Sequence, residues 1–110
     1  MNEVLTSLTE LPGVNLAAVV SRDGHVETAS RDDALNETLA SLAAMIYGAI
    51  GSALAKGGIA PLDACLLEAG ATAVQIQGAG ERVLVVLTNK DANAGRVKLA
   101  LRRAAERATA

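Results

Sequence analysis

The sequence predicts a small α/β (α+β) domain with the element order αββαβββα, and three observations predict it. Its 110 residues suit one domain with one core, here taken as residues 1–110. Apolar residues recur at helical spacing near both ends and in the middle, and in alternating or wholly apolar runs elsewhere. Glycine- and proline-containing breaks separate these runs at short intervals, with no linker, internal repeat or low-complexity tract among them.

Val4, Leu5, Leu8 and Leu11 share one stripe of a first helix. Pro12-Gly13 ends it, because proline disfavours helix at the preceding residue. The run Val14–Ser21 is apolar on both faces, and Asp23-Gly24 signals a tight turn requiring positive φ. Residues 25–30 then alternate Val26 and Thr28 with Glu27, so the two runs read as a hairpin. Asp32 or Asp33 can cap a long middle helix that closes at Lys56-Gly57-Gly58. After Pro61, residues 63–68, 72–77 and 82–88 form a meander, with turns at Ala69-Gly70-Ala71 and Gly78-Ala79-Gly80. Asp91 or Asn93 opens a last helix on which Val97, Leu101, Ala104 and Ala108 share one side. Strands 14–21 and 82–88, apolar on both faces, belong in the centre of a five-stranded sheet, and the charged strand 25–30 fits an edge.

Composition narrows the function. Half the residues are apolar, yet Phe and Trp are absent and Tyr47 is the only aromatic, which removes the platforms on which single-stranded nucleic acids stack. No nucleic-acid partner is expected. A net charge of −2 and a lone Cys65 suit a reducing, cytoplasmic setting. The N-terminus lacks the basic and continuously apolar regions of a signal peptide. Residues 38–55 carry no charge, but they are mostly Ala, Gly and Ser, which gain little from lipid, so no integral membrane segment is expected.

The middle helix has two sides that want burial. On a wheel, Leu39, Leu42, Ile46, Ile50, Ala53 and Leu54 form a broad side expected to cover the sheet. Ala40, Ala44, Gly48, Gly51 and Ala55 form a stripe of small residues that would let a second copy of the helix approach closely. The strand containing Cys65 and Leu67 lacks the Lys, Pro or charge that guards an exposed edge, so pairing with its twin would hide it. The expected dimer interface is therefore Ala40, Ala44, Gly48, Gly51, Ala55, Cys65 and Leu67.

Chemistry-bearing motifs are few, and no catalytic, cofactor-binding or metal site is expected. Thr88-Asn89-Lys90-Asp91 lacks the residue that separates Lys from Asp in the base-reading signature of GTPases, and no phosphate-binding Gly-Lys-Ser/Thr loop exists. His25 and Cys65 alone could form a nucleophilic pair, but one His and one Cys fall short of a structural zinc site. Arg96, Arg103 and Arg107 share a stripe of the last helix. They suit its C-terminal dipole as a solvated face, or dock an acidic partner or anionic surface.

Several segments resemble the Roadblock family of dynein light chains and their bacterial MglB-type relatives. They are Leu8 to Val14 (LTELPGV), Val19 to Val26 (VVSRDGHV), the uncharged helix through Ala43-Ala44-Met45, and Leu84 to Gly95 (LVVLTNKDANAG). The resemblance spans nearly the whole chain. It implies a five-stranded antiparallel sheet with one long helix on one face and two terminal helices on the other. It also implies a homodimer joined through the middle helix and the following strand, and a non-catalytic role in binding a small Ras-like GTPase, as activator or scaffold. The alternative is an assembly subunit that tethers signalling or motility proteins without a GTPase.

Overall fold

The computed structural model describes residues 2–109; the ends of the expected 1–110 domain, Met1 and Ala110, lie outside the described residues. The elements are α1 (Asn2–Thr9), β1 (Val14–Ser21), β2 (Val26–Ala29), α2 (Ala34–Lys56), β3 (Ala64–Ala69), β4 (Thr72–Ala79), β5 (Arg82–Thr88) and α3 (Ala94–Thr109). The five strands form one sheet in the order β2-β1-β5-β4-β3, with every neighbouring pair antiparallel. The doubly apolar strands β1 and β5 are central and the charged β2 is an edge, as their burial patterns require.

Each face of the sheet has its own core. Ala17, Val19, Leu84 and Val86 meet Leu5 and Leu8 of α1 and Val97, Leu101 and Ala104 of α3. Leu16, Ala18, Val20, Ile76, Val83, Val85 and Leu87 meet Ala40, Ala43, Ala44 and Tyr47 of α2. One long helix thus covers one face and the two terminal helices the other, because period-two alternation along β1 and β5 sends apolar side chains both ways.

Local chemistry explains the ends of the elements. Asp33 caps α2 by accepting from the Asn36 backbone N–H at 3.1 Å, while Glu37 accepts from the Asp33 N–H at 3.2 Å. Asn93 caps α3, accepting from the Arg96 N–H at 3.0 Å. Gly24, at φ +93, turns β1 into β2, and there the Ser21 hydroxyl donates to the Asp23 carboxylate. This bond, with one from the His25 backbone, holds the Asp23 carboxyl below its ordinary value.

One turn differs from the sequence expectation. Gly78 and Ala79 belong to β4, and Ala79 pairs with Arg82, so the turn to β5 is shorter than Gly78-Ala79-Gly80. Glycine at position 78 answers a close approach and not a turn: a Cβ there would overlap the Tyr47 hydroxyl, which crosses the strand to donate to the Leu62 and Asp63 carbonyls at 2.9 and 3.2 Å.

Over the first half of α2 the two sides are exchanged relative to the expectation, while farther on Ile50 and Leu54 of the expected sheet side are half-buried and Ala53 is exposed. Ala40 and Ala44, expected at a dimer interface, are 0% exposed and lie against the sheet. Leu39, Leu42 and Ile46, expected to cover the sheet, are 41, 49 and 43% exposed. The physical reason is complementarity of bulk. The sheet face already presents Leu16, Val20, Val83, Val85 and Leu87, so a helix of alanines packs close to it at native density, and the larger side chains turn outward. Gly48 and Gly51 are half-buried toward the Arg22 backbone and the Leu62 side chain, and Ala55 is exposed.

Candidate functional site

The outward side of α2 gathers five of the eight large hydrophobic residues that are exposed among the described residues. Leu35, Leu39, Leu42, Met45 and Ile46 are all exposed, and at this spacing they form one continuous stripe three turns long. By length and composition α2 is also apolar enough to cross a membrane. In this fold the helix is packed against the sheet along Ala40, Ala43, Ala44 and Tyr47. A stripe of this kind on a protein in water marks an interaction surface.

The β3 edge lies on the same side of the fold. Cys65 and Leu67 are half-buried and pack toward the α2 core, with Leu62 just before the strand and Val74 beside them on β4. Among the described residues β3 pairs only with β4, so its outer backbone groups face away from the sheet, and the strand ACLLEA carries one charge, Glu68, near its end. The structure thus joins two features that the sequence named, an unpartnered helix side and an unguarded edge. The outward helix side is made of Leu39, Leu42, Met45 and Ile46, while Ala40 and Ala44 face the sheet. The outer wheel positions gave the signal, but the sequence alone did not say which side the sheet would claim.

The remaining candidates are separated. His25 is exposed at the start of β2 and Cys65 lies on β3, at opposite edges of the sheet. With four inter-strand spacings of about 4.8 Å between them, roughly 19 Å, they form no catalytic pair. Arg96, Arg103 and Arg107 are exposed on α3, on the sheet face opposite α2. Among the described residues, no cluster of His, Cys, Asp and Glu has the makings of a metal site. The Arg22 guanidinium lies 5.8 Å from the Tyr47 ring centroid and donates to the Gly80 carbonyl at 2.6 Å, bracing the β1–β2 turn against the β4–β5 turn. Burial raises the Tyr47 phenol above its ordinary value, with the Arg22 charge opposing.

No family model matches the chain. An uncharacterised protein of Methanocaldococcus jannaschii is 29% identical over 108 residues, which are 97% of this chain and 95% of that one. A Roadblock/LC7 domain from Streptomyces avermitilis is similar at 30% identity and a TM-score of 0.67, over 96% of this chain and 95% of that one. The gliding protein MglB of Thermus thermophilus superimposes with a TM-score of 0.83 at 26% identity, over 97% of this chain and 84% of that one. A second MglB structure, with the same TM-score and identity, has a tetrameric arrangement.

Proposed function

The chain belongs to the Roadblock/LC7 family and is similar to its MglB members, and from that premise we propose that it is a cytoplasmic homodimer that binds a small Ras-like GTPase as regulator or scaffold. The observation that carries this reading is the apolar stripe Leu35, Leu39, Leu42, Met45 and Ile46 beside the open β3 edge. A second copy antiparallel to the first would cover both at once. The helices would pack stripe to stripe, and β3 would continue into its twin, as isologous dimers do. The self-assembly of a similar MglB protein supports this.

The paired helices would then expose a composite surface, built from both copies, on which the GTPase docks. In such a dimer Cys65 and Leu67 would lie at the interface, with Gly48, Gly51 and Ala55 toward the C-terminal end of α2. The role is that of a binding domain: the chain supplies the platform and the GTPase its own nucleotide chemistry. The second reading, an assembly subunit without a GTPase, uses the same dimer and draws on the gliding protein among the similar structures.

The test is binding of purified Ras-like GTPases from the same genome, loaded in turn with GDP and a non-hydrolysable GTP analogue, measured by calorimetry. Preferential binding to one nucleotide state, lost in Leu42→Asp and Ile46→Asp, is the expected result. A stable dimer that binds no GTPase in either state contradicts the GTPase reading and leaves the assembly subunit.

A further inference from the structure

The face of the sheet opposite α2 carries a charge imbalance that self-association does not use. α3 holds Arg96, Lys98, Arg102, Arg103 and Arg107, half of the chain's ten basic residues, against Glu106 alone. All five cations are exposed, and none forms an ion pair among the described residues, where the pairs are Arg31 with Asp33 and Arg82 with Glu27. The remaining eleven acids and five bases lie elsewhere in a chain whose total is −2, so the positive charge is concentrated on one helix of an acidic protein.

Between α1 and α3 runs an open trough of about 600 Å³, lined by Ser7, Ala100, Arg103, Glu106 and Arg107. One of its arginines, Arg107, is held in place. The Arg107 Nη2 donates to the Ser7 Oγ at 3.2 Å, and that hydroxyl in turn donates to the Val4 carbonyl at 2.9 Å. Arg103 and Arg107 are one turn apart, with Cβ atoms about 5–6 Å from each other, and Arg96 continues the same stripe two turns earlier. Carboxylates on alternate residues of an extended chain recur at about 6.6 Å, which matches this step, and each can accept a two-pronged guanidinium bond.

We infer that the α1–α3 trough, with Arg103 and Arg107 as its anchors and Arg96 beyond them, docks an extended acidic peptide segment of a partner protein. The occupant is a narrow chain and not a flat anionic surface, because Glu3 is exposed on α1 one turn before the half-buried Ser7, and Glu10 is exposed just past the end of the helix. An anionic bilayer laid across both helices would meet those carboxylates, whereas a single extended segment lies along the α3 wall and avoids them. The docking holds whether or not the α2 face binds a GTPase, since the two surfaces are on opposite faces of the sheet.

The test uses a fluorescein-labelled heptapeptide alternating glutamate and alanine, the same peptide with glutamine for glutamate, and vesicles containing phosphatidylserine. Fluorescence anisotropy at low ionic strength is expected to show binding of the glutamate peptide alone, weakening as salt screens the charges. Arg103→Gln with Arg107→Gln should lower affinity at least tenfold, Glu106→Gln should raise it, and Lys56→Gln should leave it unchanged. Equal binding of the glutamine peptide, an affinity unaltered in the double arginine variant, no binding at all, or binding to the vesicles but not to the peptide would each overturn the assignment.

Discussion

Replacing Leu42 by alanine probes the outward side of α2 at its middle, where Leu39 and Ile46 flank it. Fully burying a leucine side chain stabilises by about 1.5–3 kcal/mol, and Leu42 still exposes 49% of its surface, so about half of that gain is open to a partner. In a symmetric dimer the residue occurs twice, and the loss on truncation comes to about 1.5–3 kcal/mol. That raises the dimer Kd about ten- to hundredfold. Sedimentation equilibrium over a dilution series measures it directly. Leu99→Ala is the control, because Leu99 is 46% exposed but lies on α3, on the opposite face. A Kd that stays within about twofold of the parent for Leu42→Ala, or an equal loss in Leu99→Ala, would refute the reasoning.

Three further perturbations follow from the packing. Ala44→Leu, on the sheet-facing side, should destabilise the fold by about 1–3 kcal/mol through overpacking, read as a lower urea midpoint. Gly78→Ala should likewise destabilise, because its Cβ overlaps the Tyr47 hydroxyl, and adding Tyr47→Phe should recover part of the loss. The double variant is therefore expected to be less destabilised than the sum of the singles, which a double-mutant cycle reads from urea unfolding. Burial raises the Tyr47 pKa above 10.0, so the folded value exceeds the unfolded one. The associated stability is present below the unfolded pKa and is lost as pH rises through the folded value. Thermal melts at rising alkaline pH should show that loss in the parent and not in Tyr47→Phe. Phenolate absorbance gives the titration cleanly, because Tyr47 is the only tyrosine.

Much of the fold was legible because its signals are local. Asp23-Gly24, Asp33 with Glu37, and Asn93 mark ends through bonds made within a few residues, and the doubly apolar β1 and β5 declare a centre flanked on both sides. Where the reading failed, the cause was distant in sequence. Gly78 resembled a turn residue until Tyr47, thirty-one positions earlier, came to rest on it. The wheel of α2 showed two apolar sides, but which one meets the sheet depends on the bulk that β1 and β5 already place there, and no property of the helix alone carries that information. The long helix and the open edge strand were thus legible as elements, while the side of the helix that meets the sheet was read the wrong way round. The basic stripe of α3 was legible as a stripe; its trough was not, since Ser7 comes from the other end of the chain.

The proposed dimer covers the outward side of α2 in solution with a second copy of the chain. Light scattering after size exclusion, carried down to nanomolar concentration, measures this most directly. A mass of twice the 11.2 kDa chain that persists on dilution is the predicted result. A mass of 11.2 kDa at every concentration would contradict it, leaving Leu39, Leu42, Met45 and Ile46 without the partner that their exposure requires.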